Sequence, residues 1–125
     1  MPADAFAGTS WGARFDALDD PVSVLRAVRD TRGAIVDLEI AYANPAWHRT
    51  LGSRAGIDLT GRRLIAHMPS AAARLELYRM VIDTGVPARL VVEDAAGGRR
   101  YDVTYRRHGD GLIAVNRDIT GEPRT

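Results

Sequence analysis

Residues 35–47 read IVDLEIAYANPAW, a strand-like stretch that runs directly into a helix start. Every second side chain before Asn44 is apolar, which predicts a strand from Ile35 to Asn44 with one face inward and a polar face outward. The apolar positions that the alternation turns inward are Val36, Leu38, Ile40 and Tyr42.

The Asn44-Pro45 pair predicts the start of a short helix. An Asn side chain at this position accepts a backbone N–H of the first turn, and Pro is favoured at the first helical residue. Trp47 and Leu51 lie four residues apart and share a face of this helix, which Gly52 is expected to end.

Toward the N-terminus, the sequence predicts a helix, a strand and a turn. Ser10 is a candidate N-cap for the helix, and 19–21, Asp-Asp-Pro, would end it. Residues 22–29 are rich in apolar and β-branched side chains, and residues 30–33 have turn chemistry, so a hairpin leads into the strand that begins at Ile35. The helix carries one apolar stripe, formed by Trp11, Phe15 and Leu18.

Toward the C-terminus, irregular apolar chain over 53–69 precedes the longest predicted helix. Ser70 is its candidate cap, and Gly85 with Pro87 ends it. Three strand-like runs follow at 88–93, 99–107 and 112–119, separated by Gly-rich turns. The stripe of the long helix consists of Ala71, Leu75, Tyr78 and Ile82.

This order of elements predicts an α+β fold with one five-stranded antiparallel sheet. The helical crossover is expected on one face of the sheet, with the N-terminal helix as a cap. We expect one domain over 10–120, a disordered N-terminus over 1–9, and the start of a linker to a missing output domain over 121–125.

Composition restricts the partners and the compartment. The 125 residues carry a net charge of +1, and all 17 basic residues are Arg, scattered among the acidic ones. A nucleic-acid partner would need a basic face, so none is expected. There is no Cys, which excludes disulfides and thiol chemistry. No signal peptide or apolar run of about 18 residues is present, so we expect a cytoplasmic protein without membrane contact.

Four local features stand in a fixed order along the chain, and together they resemble a known family. The terminal Asp-Ile-Thr at 118–120 is the most specific of them. The others are FDALDDPV at 15–22, YANPA at 42–46, and LTGR at 59–62 with DTGVP at 83–87. They resemble the PAS domains, the sensory box domains of bacterial signalling proteins, over about residues 15–120.

The resemblance implies a non-catalytic sensor and protein-interaction domain. Such a domain would relay ligand binding or partner contact through its last strand to a kinase, cyclase, phosphatase or transcription regulator. The relay residues would be Asp118, Ile119 and Thr120. A homodimer is expected through the stripe of Trp11, Phe15 and Leu18, because exposed apolar side chains on a short helix favour association. Packing of that stripe onto its own sheet is the alternative.

The family often holds a small molecule between the sheet and the crossover, and this chain has residues for such a pocket. Trp47 and Tyr78 would combine flat apolar surfaces with polar tips, and Arg62 could meet an anionic group. By pattern alone, the apolar residues among them are core residues first and ligand contacts second. The complete set is Tyr42, Trp47, Leu51, Arg62, Leu64, Met68, Leu75, Tyr78, Val103 and Val115.

No cofactor or metal is expected. Flavin and coumarate photochemistry in the family needs a Cys, which is absent. The family's haem binders use a His of the long helix, and residues 70–84 contain none, although His67 stands just before them. His48, His67 and His108 are too far apart in sequence to form a metal motif.

An enzyme is the alternative to a sensor. Small cone-shaped α+β isomerases and hydrolases of similar length act on small apolar molecules with an Asp or Tyr whose pKa is shifted by burial. Tyr42 and Tyr78 are the candidates here. We expect no catalysis, because no nucleophile elbow, phosphate loop or metalloprotease motif occurs.

Overall fold

The computed structural model describes residues 11–50, 58–94 and 98–122 of the chain. Within these ranges it contains five strands, four α-helices and one 3-10 helix. They follow one another as α1 (Trp11–Phe15), β1 (Val22–Arg29), β2 (Ile35–Ala43), α2 (Pro45–Thr50), α3 (Leu64–His67), the 3-10 helix (Pro69–Arg74), α4 (Leu75–Thr84), β3 (Ala88–Asp94), β4 (Arg99–Arg107) and β5 (Gly111–Asp118).

The strands form a single antiparallel sheet in the order β2-β1-β5-β4-β3. The first and last described strands, β1 and β5, are therefore neighbours in the middle of the sheet. Where β1 begins, Asn116 of β5 donates its backbone N–H and its side-chain amide to the Pro21 carbonyl, at 2.9 and 3.1 Å. The predicted α+β fold with its five-stranded sheet is confirmed.

The described helices of the crossover, α2, α3, the 3-10 helix and α4, cover the inner face of the sheet, where the main core lies. Leu25, Leu38 and Ile40 of the hairpin are buried there, and Val81 and Ile82 of α4 pack against the same cluster. Arg79 ties α4 to the sheet by donating from Nε to the Ile35 carbonyl at 2.9 Å. The core thus joins strands from both ends of the chain to the helices between them.

The long helix is shorter than the sequence predicted. Residues 69–74 form the 3-10 helix, and the α-helix begins only at Leu75. Ser70 lies inside this 3-10 helix, and the residue in the cap position of the α-helix is Arg74, so Ser70 does not act as the cap of a continuous helix. The helix ends as expected at Gly85, whose φ of 76° is in the left-handed region.

The alternation predicted along β2 is interrupted twice. Its register against β1 shifts between Val28 and Arg29 and again between Val24 and Leu25. Leu38 and Ile40 remain inward, but Val36 is exposed and Tyr42 pairs with Val24, whose side chain lies on the face opposite to Leu25. The prediction of four inward residues is thus wrong for Val36 and Tyr42.

Candidate functional site

A buried polar group lies between α4 and β4, where the family resemblance led us to expect a ligand. The rings of Tyr78 and Tyr105 meet edge to face with centroids 5.7 Å apart. Arg74 donates from Nε to the Tyr78 hydroxyl at 3.0 Å. Burial raises the pKa of Tyr105 above its ordinary value. The Tyr105 hydroxyl also interacts with the side chains of Tyr78 and Arg74, so the three residues form one polar group.

Most of the predicted pocket residues come together on this inner side. Trp47, Leu64, Tyr78 and Val103 are buried in one cluster, and Met68 and Leu75 pack against it partly buried. All six are part of the hydrophobic core. Their role as ligand contacts stays a prediction.

Three other predicted pocket residues lie elsewhere. Tyr42 is on the outer face, where its ring packs 6.2 Å from Phe15 and its hydroxyl donates to Asp16. Val115 pairs with Val22 and lies next to the inward Ala114, so it faces outward, and 37% of its surface is exposed. Arg62 is exposed, and Leu51 falls outside the described residues.

Tyr42 and Tyr78, the two candidates of the enzyme alternative, lie on opposite faces of the sheet. Burial, together with the hydrogen bond to Asp16, raises the pKa of Tyr42. A phenol with a raised pKa is a poorer acid at neutral pH. The described geometry therefore does not bring these two hydroxyls into one reaction centre.

The predicted pocket set leaves out two tyrosines of the inner face. Tyr101 and Tyr105 are both buried, and the Tyr101 hydroxyl has no hydrogen-bond partner among the described residues. The signal was present, because alternate residues of one strand share a face and Val103 had been assigned inward. The facing of Val115 was not predictable, because Leu112, Ile113, Ala114 and Val115 are all apolar. The sequence therefore does not show which alternate residues of β5 face inward.

The end of β5 is held by a second polar group, the strand-end cluster of Arg99, Arg100, Asp118 and Thr120. Asp118 Oδ1 accepts from the Thr120 backbone N–H at 2.9 Å and from its hydroxyl at 2.5 Å. Arg99 donates to Asp118 Oδ2 at 2.7 Å. The Thr120 hydroxyl, together with its N–H and Arg99, lowers the pKa of Asp118 below its ordinary value. Asp118 therefore anchors the strand end as a carboxylate.

Arg100 ties the residues after β5 to the start of β4. Its backbone N–H donates to the Thr120 hydroxyl at 3.0 Å, and its carbonyl accepts from the Ile119 N–H at 2.8 Å. Its buried guanidinium donates to the carbonyls of Ile119 and Glu122, at 3.3 and 2.8 Å. The pattern of β4 does not predict this role. Arg100 lies at a polar position of the strand, where alternation predicts a side chain that faces solvent.

The residues predicted for a dimer interface are only partly exposed. Trp11 is buried. Its ring stacks on that of Phe15 with centroids 5.9 Å apart and meets the His108 ring edge to face with centroids 5.1 Å apart. Helix α1 ends at Phe15, before Leu18, whose surface is 44% exposed. Two members of the stripe therefore pack within the chain, and the premise of an exposed stripe holds only for Leu18. A dimer through these residues stays a prediction.

The three histidines have separate surroundings. His48 Nε2 accepts from the Leu59 N–H at 3.2 Å, His67 lies near Arg62, and His108 packs on Trp11. Among the described residues, no three potential metal ligands come together and no helix is long and apolar enough to cross a bilayer.

Comparison with known proteins links the chain to one solved domain. The chain is similar to the crystal structure of a domain of an HTR-like protein from Haloarcula marismortui, with 28% sequence identity and a TM-score of 0.53. The alignment covers 82% of this chain and 99% of that domain. No family model and no curated protein matches the sequence. The likeness agrees with a PAS-like α+β fold.

Proposed function

We propose that this chain is a non-catalytic sensor and protein-interaction domain of a cytoplasmic signal-transduction protein. Ligand binding or partner contact at the inner face would be passed through the end of β5 to an output domain. The similarity to a domain of an HTR-like protein supports a role of this class. The order of the four sequence features of the PAS family supports the same class.

The observation that carries the proposal is the position of the strand-end cluster. Helix α4 contacts both β4 and β5, and the cluster joins the first residues of β4 to the last residues of β5. A ligand that favours one position of α4 would shift these two strands relative to each other. The hydrogen bonds of Arg100 and Asp118 would transfer that shift to residues 119–122.

The test is a thermal-shift screen of small metabolites followed by hydrogen exchange. A stabilising compound should raise the melting temperature, change the exchange protection of amides 119–122, and be recovered chemically unaltered. In Asp118→Asn, which weakens the Thr120 and Arg99 contacts, the compound should still stabilise the protein while the change at 119–122 becomes smaller.

Three results would contradict the proposal in different ways. Conversion of the compound to a product would favour the enzyme alternative. Stabilisation without any change at 119–122 would remove the relay through β5. If none of the screened compounds stabilises the protein, the small-molecule part of the proposal is lost and a protein partner remains as the input.

A further inference from the structure

The two edge strands of the sheet, β2 and β3, differ in whether another described segment pairs with them. Along the β2 edge, the crossover chain pairs with the strand: the Ile40 N–H donates to the Arg62 carbonyl at 2.8 Å, and the Gly61 N–H donates to the Ile40 carbonyl at 2.7 Å. At the opposite edge, β3 pairs with β4 on one side, and no described segment pairs with its other side. In the part of the chain that the structure describes, the β3 edge is open.

The open edge lacks several of the features that usually block pairing. An edge strand is protected when it is short, bulged, interrupted by Pro or covered. Strand β3 has seven residues in unbroken register with β4 and contains no Pro. Its centre is apolar on both faces, since Leu90 and Val91 are 37% and 53% exposed. Such a strand is a template for another strand.

Two charged residues of β3, Arg89 and Glu93, are placed symmetrically about its middle residue, Val91. Arg89 and Glu93 lie two positions before and two positions after Val91, on the same face of the strand. A copy of β3 that runs antiparallel and is centred on Val91 therefore places Arg89 opposite Glu93 of the second copy. Opposite charges at directly facing positions stabilise an antiparallel pair.

We propose that β3 pairs with β3 of a second copy of this chain, antiparallel and with Val91 on the two-fold axis. In the paired strands, residues of one sheet face must lie opposite residues of the same face. The two-fold axis must therefore pass through a residue and not between two residues. The register centred on Val91 aligns all seven residues. A centre at Leu90 would set Arg89 against Val91, and a centre at Val92 would set Glu93 against Val91.

Arg89 is bonded within its own chain to Asp102 of β4, the strand on the side of β3 away from the open edge. It donates from Nε to Asp102 Oδ1 at 2.8 Å and from Nη2 to Asp102 Oδ2, while 70% of its side chain is exposed. Both bonds use one edge of the guanidinium, and Nη1 can donate to Glu93 of the second copy.

The pair of strands is small for a protein interface. A stable complex buries about 1,200 Å² or more in total, whereas one pair of seven-residue edges depends mainly on main-chain hydrogen bonds. The dimer should therefore be reversible, with a population that rises with concentration. It lies at the far edge of the sheet from β2, and its existence does not depend on the proposed sensor role.

The test uses opposite charges at the symmetry axis. Val91→Arg and Val91→Asp each place two like charges face to face, so sedimentation equilibrium should show monomer for either variant alone. A one-to-one mixture places Arg opposite Asp and should restore the dimer. Val36→Asp, at another exposed valine on β2, is the matched control and should dimerise like the unmodified chain. Circular dichroism verifies that all variants are folded.

Three outcomes would overturn the proposal. The unmodified chain could remain monomeric over the concentration series, the single variants could dimerise as well as the unmodified chain, or the mixture could fail to recover the dimer. A dimer that survives both Val91 variants but is lost in Leu18→Asp would assign the interface to the region of α1. None of these results changes the hydrogen-exchange test of the relay.

Discussion

At the scale of single residues, Asn44 links three separate parts of the fold. Its side-chain oxygen accepts from the backbone N–H groups of Trp47 and Val22, both at 2.9 Å. Its amide donates to the carbonyls of Phe15 and Asp20, at 3.1 and 2.9 Å. The cap on Trp47 was predictable, because it depends only on local spacing. The other three bonds require the tertiary position of residues more than twenty places away.

A comparison of two buried tyrosines tests hydrogen bonding in the core. The Tyr101 hydroxyl is buried and has no partner in the described part of the chain, whereas the Tyr78 hydroxyl accepts from Arg74. Tyr101→Phe should leave the free energy of unfolding unchanged or raise it by up to about 1 kcal/mol, and Tyr78→Phe should lower it by about 1 kcal/mol. Urea denaturation measures both. A clear loss in Tyr101→Phe would show that its hydroxyl has a partner, such as a bound water.

At the scale of elements, strand existence was predictable, whereas strand facing was predictable only where the alternation of apolar residues is unbroken. The predicted limits of β1 and β4 agree with the structure. The two register shifts in β2 lie where neither Gly nor Pro marks an irregularity, so the simple alternation misplaced Tyr42. A bulge depends on how two strands fit together, and a single strand's pattern does not contain that information.

The end of α4 offers a test of a close contact. Gly85 has φ of 76°, and a side-chain Cβ there would lie 2.7 Å from the guanidinium carbon of Arg107. Gly33, with φ of 86°, has open space around it and serves as the matched control. Gly33→Ala should cost about 1 kcal/mol of stability from the backbone alone. Gly85→Ala should cost slightly more, because the end of the flexible Arg107 side chain must also move away from the helix C-terminus.

A double-mutant cycle separates the two contributions at Gly85. In an Arg107→Ala background, the cost of Gly85→Ala should fall to that of Gly33→Ala, as measured by chemical denaturation. An unchanged difference between the two glycines in that background would mean that the contact with Arg107 is not its cause.

At the scale of the whole molecule, acid stability depends on carboxylates of the sheet. The hydrogen bond from Arg89 lowers the pKa of Asp102, and the Thr120 hydroxyl lowers that of Asp118. A pKa below the unfolded value of about 3.9 means that the folded chain favours the charged form. This stabilisation is present above about pH 4 and is lost as the pH falls toward the folded pKa values.

The pH dependence can be measured by urea midpoints between about pH 5 and pH 2.5. The unmodified chain should lose stability through this range. Asp118→Asn should lose less, because the substituted side chain does not titrate and its site no longer contributes to the difference in bound protons between the unfolded and folded chains. Asp19→Asn, at an exposed position, is the control. Identical slopes for Asp118→Asn and the unmodified chain would contradict the assigned role of Asp118.

The central pairing of β1 with β5 has a mechanical consequence. The first pair of this ladder, Val22 with Val115, lies beside the bond between Asn116 and Pro21, so the chain enters and leaves the sheet at the same end of two adjacent strands. A pull on the two flanking segments would load this end alone and peel the ladder apart one pair at a time. Separating the two strands in this way would require far less force than shearing them along their length.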